Sequence, residues 1–276
     1  MVGGHSPPRE REYLFIDGGC LRSATAKICE DIFGDKDAYK PFLPGIANSQ
    51  FDKVFYYDAI SGRDHGESQL SYETRVQAEH ERFDEIQALD RVHVSLGDIV
   101  GKKRRQKGVD VQLTVDMMTH AFRGNITRAT LFAGDADFAP LLRALVGQGL
   151  HVTLWHPPQA NFELKGAADS IRLFNFRDNH RAFTLNGIQS AFQHQSSGNG
   201  DNPENHGLSN IWMEGEFRFA GSWKDGVLQI WRSDSTLTWQ YQTLLAPSAT
   251  VTRALVAFDN IHLWGISGTA EQWIHT

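Results

Sequence analysis

The sequence has little cysteine and no long apolar run, and these two absences exclude several classes of protein. Its two cysteines, Cys20 and Cys29, lack Cys-x-x-Cys spacing, so neither a disulfide framework nor a thiolate zinc site is indicated. No stretch approaches the roughly 20 apolar residues of a membrane-spanning helix, and the amino terminus lacks the apolar core of a secretion signal. We therefore expect a cytoplasmic protein that does not associate with a membrane.

Positive charge and nucleotide-binding loops are also scarce. The net charge of −6 excludes a globally basic nucleic-acid-binding protein, although it permits a local basic stripe. No Gly-x-Gly-x-x-Gly or Walker loop follows a predicted strand, so a nucleotide cofactor is not indicated. The 276 residues, 41% of them hydrophobic, are enough for one large domain and a smaller one.

Over the first two thirds of the chain, short apolar segments alternate with segments of helical periodicity. Strands are predicted at 13–17, 53–60, 92–96, 129–133, 150–155 and 171–176. This alternation predicts an α/β fold in which a mostly parallel sheet lies between two layers of helices. Residues 34–50, which include Pro41, Pro44 and Gly45, are predicted to form a loop or lid.

The composition changes after this region. Residues 194–207 contain no aliphatic or aromatic side chain, which indicates a linker. Six of the seven tryptophans follow it, and Asp225-Gly226 is typical of a hairpin turn. We expect these tryptophans to form a core rather than a ligand surface. The predicted parts are a flexible terminus (1–11), the α/β domain (12–193), a linker (194–209) and a small tryptophan-rich antiparallel β domain (210–276).

Asp135 and Asp137 come directly after a predicted strand and open the next helix. Open α/β sheets bind their ligands at this end of the strands. Two carboxylates so close repel each other unless a cation or protons intervene, and oxygen ligands suit Mg²⁺ or Mn²⁺. The alternative is structural, with Asp135 capping the helix and Asp137 interacting with its dipole.

Two further aspartates are predicted to reach the same edge. Asp17 ends the first strand before two glycines, and Asp110 opens the helix after a basic segment. Three or four converging carboxylates would hold one or two Mg²⁺ ions, which polarise a phosphodiester and activate a water. The structural alternatives are a turn-forming Asp17 and a capping Asp110. Asp116 lies about 240° around the helix from Asp110 and is an outer candidate only.

The densest positive cluster precedes Asp110. It consists of Lys102, Lys103, Arg104, Arg105 and Lys107. Beside an acidic metal site, these side chains are predicted to bind the backbone phosphates of a nucleic acid. The alternative is a solvated loop whose charges only maintain solubility.

These segments together resemble a known family. The segments are Phe15-Ile-Asp-Gly-Gly19, Lys107-Gly-Val-Asp-Val111 with Val115-Asp-Met117, and Ala133-Gly-Asp-Ala-Asp-Phe-Ala-Pro-Leu141 followed by Gly149-Leu-His-Val152. In this order they are similar to the NYN domain family, the LabA-like branch of the PIN-fold ribonucleases. The resemblance covers about residues 12–177. It does not include the tryptophan-rich region.

The resemblance implies a PIN-like three-layer α/β/α sandwich and a Mg²⁺- or Mn²⁺-dependent endoribonuclease that hydrolyses RNA phosphodiesters. By this matching, the catalytic and metal-binding residues are Asp17, Asp110, Asp135 and Asp137. Two positions depart from the family pattern: Cys20 replaces a frequent asparagine or tyrosine, and Ala133 replaces a frequent serine. Neither departure removes a carboxylate.

Two other functions compete with this one. The same fold can serve as a catalytically weak or inactive RNA-binding or scaffold module. A Toprim-like phosphotransferase site also combines a strand-end carboxylate with an Asp-x-Asp pair, but it usually opens with glutamate where this chain has Asp17. The expected partners are an RNA substrate and, through the C-terminal β domain, a second copy or another protein.

Overall fold

The structure is a computed structural model of the chain. It describes residues 10–47, 50–60, 62–100, 105–185, 192–193, 202–234, 238–247, 249–266 and 268–276.

Contacts divide the chain into two compact units. The first contains Met1–Arg22 and Ile46–Phe174, and the second contains Ser23–Gly45 and Asn175–Thr276. Because these units group residues by contact, the domain boundaries predicted along the chain remain a prediction.

Strands and helices alternate through the first unit, and strands predominate in the second. The strands are β1 (Glu12–Asp17), β2 (Lys40–Pro41), β3 (Lys53–Ala59), β4 (Val92–Val100), β5 (Arg105–Lys107), β6 (Arg128–Phe132), β7 (His151–His156), β8 (Ser170–Leu173), β9 (Phe183–Thr184), β10 (Phe192–Gln193), β11 (Trp212–Glu214), β12 (Phe217–Lys224), β13 (Val227–Ser233) and β14 (Trp239–Leu245). The helices are α1 (Gly18–Phe33), α2 (Leu43–Ile46), α3 (Gln69–Gln87), α4 (Val109–Phe122), α5 (Ala139–Gly147), α6 (Phe162–Lys165), α7 (Phe176–Asn179) and α8 (Val251–His262).

The first unit is built around a seven-stranded sheet in the order β5-β4-β3-β1-β6-β7-β8. The pairs from β4 to β8 in this order are parallel, and only β5 runs antiparallel to its neighbour. β1 lies between β3 and β6. The predicted mostly parallel sheet is therefore confirmed.

Alternating side chains of these strands bury two faces, as the twofold repeat of a strand requires. On one face, Phe15 of β1 and Leu131 of β6 belong to a buried cluster with Leu113 and Met117 of α4 and Leu142 of α5. Two helices therefore cover this side of the sheet.

The opposite face buries the intervening side chains. Tyr56 of β3 contacts Phe83 of α3, with ring centroids 6.5 Å apart. Phe132, Trp155 and Phe174 pack edge to face at 5.0–5.7 Å. With helices on both faces, the first unit has the expected α/β/α layers.

The second unit contains an antiparallel sheet in the order β10-β14-β13-β12-β11. The turn between β12 and β13 has positive φ at both Asp225 (51°) and Gly226 (77°), as a two-residue hairpin turn of type I′ requires. Trp231 and Trp239 are buried with Ala220 in its core. The predicted antiparallel sheet is confirmed, as is the core role of Trp231 and Trp239, whereas Trp273 is 41% exposed and does not belong to the core.

Two features of the second unit differ from the sequence prediction. The helix α8 was not predicted, although Ala254, Leu255 and Phe258 bury one face at helical spacing and Thr250 caps its first turn. Residues 34–50 were predicted as a loop, but they include β2 and α2, and β2 pairs antiparallel with β9.

Among the helices of the described residues, none combines the length and apolarity that a membrane crossing requires.

Candidate functional site

The carboxyl ends of the parallel strands in the first unit form one edge, and the chain changes direction there. From β1 it continues to β3 and β4 on one side, and the later strands β6, β7 and β8 lie on the other side. Such a switch point creates a crevice where open α/β sheets bind ligands. Asp17 ends β1. Asp135 lies three residues after the end of β6, the strand that pairs with β1.

Asp17 is half-buried and held by the backbone that follows it. Its Oδ1 accepts a hydrogen bond from the backbone N–H of Cys20 at 2.9 Å. Burial raises the pKa of Asp17, and the negative charge of Asp110 raises it further; the backbone N–H groups of Cys20 and Gly19 and the charge of Arg22 oppose these effects. The turn-forming role considered for Asp17 is therefore present, and it also fixes the carboxylate at the strand end.

Asp135 also has a structural role. Its Oδ1 accepts a hydrogen bond from the backbone N–H of Asp137 at 3.0 Å and caps the short 3-10 turn Ala136–Phe138. Asp135 and Asp137 are both exposed to solvent. The predicted cap is observed, and it orients the Asp135 side chain at the edge.

Asp110 lies in the first turn of α4 and is not its cap. The capping position is Gly108, which adopts a left-handed conformation at φ 100° and makes no side-chain hydrogen bond there. Partial desolvation raises the pKa of the Asp110 carboxyl, and the charges of Asp135 and Asp137 raise it further. The capping alternative for Asp110 is therefore wrong.

The four predicted aspartates are close enough to interact electrostatically. The charge of Asp110 raises the pKa of Asp17, and the charges of Asp135 and Asp137 raise the pKa of Asp110. Cys20 is also part of this group. Burial raises the pKa of its thiol to about 12, helped by the charges of Asp17 and Asp135. Because a neutral thiol is a poor nucleophile, Cys20 is a packed side chain here.

The chemistry of this group fits a hard divalent ion, since its donors are carboxylate oxygens that repel one another. In the part of the chain that the structure describes, no three His, Cys, Asp or Glu side chains are arranged as a ready-made metal site. Mg²⁺ commonly binds through one or two carboxylates, several waters and substrate phosphates. This donor set meets that requirement, and assignment of all four aspartates as ligands remains a prediction.

Asp116 belongs to a separate contact. Its two oxygens accept hydrogen bonds from the Tyr57 hydroxyl at 3.0 Å and from the Gln112 side chain at 2.9 Å. Burial and the charge of Asp116 raise the pKa of Tyr57. Tyr57 is also the register partner of Asp17 on β3. Asp116 therefore supports the strand next to the site.

Of the five predicted RNA-binding residues, the structure describes the backbone of two. Lys102, Lys103 and Arg104 lie outside the described residues. Arg105 and Lys107 belong to the backbone of β5, which pairs with β4 at Val100 and Asp98.

Sequence reasoning missed a second polar cluster at the same edge. It joins Asp58 at the end of β3 with Arg22 of α1 and Arg82 of α3. No local pattern marks these three residues as a group.

The raised pKa of Asp17 predicts how this residue affects stability. The folded state holds the Asp17 proton more tightly than the unfolded state, so ionisation in the fold costs stability as pH rises. Asp17→Asn keeps the oxygen that accepts from Cys20 and removes the charge. In EDTA at pH 8 we expect it to be more stable than wild type by about 1 kcal/mol, or roughly 2–4 °C in Tm.

Thermal denaturation at several pH values checks this expectation. The difference should shrink as pH falls through and below the ordinary aspartate pKa of about 3.9, because the carboxyl then becomes protonated in both states. A variant less stable than wild type at pH 8, or a difference independent of pH, would contradict it.

Curated proteins, solved structures and family models provide three comparisons for this chain. No curated protein matches the chain. Among solved structures, the chain is similar to the crystal structure of a protein of unknown function from Vibrio parahaemolyticus, with 17% identity, a TM-score of 0.42 and coverage of 62% of this chain and 97% of that one. This likeness is too distant to carry a functional argument.

The family model for the NYN domain matches residues 44–174, and the C-terminal region matches no family. The match is shorter than the predicted resemblance. It contains Asp110, Asp135 and Asp137 and begins after Asp17. NYN domains have a PIN-like nuclease fold, which agrees with the sheet and helix layers of the first unit. The predicted resemblance to the NYN domain family is therefore confirmed over residues 44–174.

Proposed function

We propose that the protein is a metal-dependent endoribonuclease that hydrolyses RNA phosphodiesters at the carboxyl edge of the sheet. The observation that carries this proposal is the electrostatic coupling of Asp17, Asp110, Asp135 and Asp137 at the switch point. Burial and neighbouring carboxylates raise the pKa values of Asp17 and Asp110, and a divalent cation would remove the repulsion between the carboxylates. The NYN domain match supports phosphodiester hydrolysis as the reaction class.

Each aspartate is suited to a particular role. Asp17 and Asp135, whose side chains are fixed by backbone N–H groups, would hold Mg²⁺ or Mn²⁺ together with Asp137. A bound ion of this kind polarises a phosphodiester and acidifies a water. Asp110 would be a further ligand, or it would orient the attacking water and accept its proton. Because its pKa is raised, Asp110 is a stronger base than an ordinary aspartate.

The basic segment and the second unit complete the proposal. Lys102, Lys103, Arg104, Arg105 and Lys107 would bind phosphates of the RNA strand. The antiparallel sheet of the second unit would pair with another copy or recruit a partner protein.

The experiment that tests this function uses the full chain and four substrates. Single-stranded RNA, duplex RNA, tRNA and single-stranded DNA are incubated with the protein in Mn²⁺, in Mg²⁺ or in EDTA. We expect internal cleavage of RNA in the presence of either metal and none in EDTA. RNA binding without any metal-dependent cleavage would refute the nuclease and favour the binding module.

A further inference from the structure

A buried carboxylate lies beside the proposed nuclease site but belongs to a different network. Asp58, near the end of β3, is only 2% exposed. Asp17 and Tyr57 are register partners in the adjacent strands β1 and β3, so Asp58 lies at the same edge of the sheet. Because successive strand residues point to opposite faces, Asp58 points away from the face of Tyr57.

Every contact of Asp58 fixes its carboxylate. Oδ1 accepts a hydrogen bond from the backbone N–H of Ala59 at 2.8 Å, and Oδ2 accepts one from the Tyr56 hydroxyl at 2.8 Å. Arg22 forms an ion pair with Oδ2, and Arg82 approaches the same oxygen at 3.5 Å. A charge buried this deeply requires such partners.

The charges in this cluster do not balance. Two guanidinium groups surround the Asp58 carboxylate, so these three side chains together carry one positive charge, and Arg22 also interacts with the nearby Asp17 carboxylate. A single arginine would be enough to neutralise Asp58. The second cation points to a further anion, and a phosphate group is the anion that paired arginines bind well.

Both arginine side chains are also partly exposed to solvent. The side chains of Arg22 and Arg82 are 34% and 35% exposed, whereas that of Asp58 is 1% exposed. Arg82 is further held by packing over the Phe83 ring at 4.3 Å and by its contact with the Tyr56 hydroxyl at 3.4 Å. The arginines are therefore positioned before any ligand arrives, which lowers the entropy cost of binding.

The position of the cluster matches a strand of nucleic acid that crosses the edge. Arg22 lies near the start of α1, close behind Asp17, and its positive charge acts on the Asp17 carboxyl. A polynucleotide whose scissile phosphate lies at the aspartates would carry a neighbouring phosphate past Arg22 and Arg82.

We propose that Arg22 and Arg82, held by the buried Asp58, form a phosphate-binding subsite for the RNA backbone beside the aspartate site. This inference rests on the proposed nuclease function and names the residues that position its substrate. Asp58 is a positioning residue that acts through the two arginines.

The test measures binding of a fluorescent single-stranded RNA to the full chain in EDTA over a series of salt concentrations. Asp135→Asn is the common background, so that no strand is cut. Arg82→Gln should weaken binding about tenfold, the loss expected for charge-assisted hydrogen bonds. It should also reduce the salt dependence by about 0.7 in the log–log slope, the value for one phosphate contact on a single strand.

The matched control is Arg128→Gln. Arg128 is also 35% exposed and also pairs with an acidic residue, Glu12, but it lies at the amino end of β6, on the opposite edge of the sheet. Its replacement should leave both affinity and slope unchanged. A folded Arg82→Gln variant that binds RNA with the control's affinity and slope would overturn the subsite.

Two more variants separate positioning from charge. Arg82→Lys should keep the salt slope and lose part of the affinity, because an ammonium keeps the charge without the planar fork. Asp58→Asn should weaken binding although it removes a negative charge, since the arginines lose their support. If Asp58→Asn instead strengthens binding, only bulk charge matters and the subsite is refuted.

The two proposals fail in distinguishable ways. RNA binding that depends on Arg82, without metal-dependent cleavage by wild type, keeps the subsite and refutes the nuclease. If the protein cleaves RNA, but replacing Arg22 or Arg82 changes neither KM nor the salt slope, only the subsite is refuted.

Discussion

Replacing Asp135 by asparagine is expected to lower the rate of Mn²⁺-dependent RNA cleavage by at least about 100-fold, since even outer-shell changes at metal sites cost 10–100-fold. Asparagine keeps the Oδ1 that accepts from the backbone N–H of Asp137, so the turn at Ala136–Phe138 is preserved. The negative charge that acts on Asp110 is lost. Initial cleavage rates of a labelled single-stranded RNA measure the effect.

Asp90→Asn is the matched control for this substitution. The Asp90 side chain is 91% exposed and precedes β4, at the opposite edge of the sheet, so the variant loses the same charge far from the site. Its rate should stay within about twofold of wild type, as for an ordinary surface change. If Asp135→Asn cleaves RNA at the control's rate while remaining folded, Asp135 is not part of a catalytic metal site.

The acidic half of this edge could be predicted from the sequence, because its signals are local. Asp17 and Asp135 each follow an apolar strand, and strand ends of a parallel sheet share an edge. The pairing of β1 with β6, which brings Asp17 and Asp135 onto neighbouring strands, has no local signal and is known from the structure. The capping alternative for Asp110 was wrong, since Gly108 holds that position, and the metal-binding role of the four aspartates stays a prediction.

The arginine cluster could not be predicted, because its members share no pattern in the sequence. Arg82 lies on a polar helix, where an arginine is expected to be solvated, and Asp58 reads as one more polar residue at a strand end. Their meeting depends on the pairing of β1 with β3 and on the packing of Phe83 against Tyr56. Neither contact has a local signal.

For the same reason, the sequence does not predict which segments of the chain form the second unit. Residues 23–45 and 175–276 belong to one contact unit, although they are far apart in the chain. Aromatic packing joins them: Phe33 meets Phe176 edge to face at 5.2 Å, and Tyr39 lies 5.5 Å from the same ring. Long-range contacts of this kind follow from the fold and are not encoded in periodicity.

Gly18→Ala is expected to destabilise the protein by about 2–3 kcal/mol, the usual cost of overpacking a core. Gly18 is buried at the start of α1, and an added Cβ would lie 2.6 Å from the Tyr56 hydroxyl and 2.7 Å from Oδ2 of Asp58. Neither neighbour can move cheaply, because both are buried and hydrogen-bonded to each other. Thermal denaturation should show a Tm lower by roughly 5–10 °C.

Gly147→Ala provides the control, because Gly147 ends α5 with no atom within 4 Å of an added Cβ. It should be neutral or more stable by about 0.5–1 kcal/mol, since alanine loses less backbone entropy than glycine on folding. The Gly18 variant should also bind RNA more weakly, because a displaced Asp58 no longer holds Arg22 and Arg82. If Gly18→Ala melts like the control and keeps wild-type RNA affinity, α1 can shift away from β3 at little cost, and the support that Asp58 gives the two arginines is not rigid.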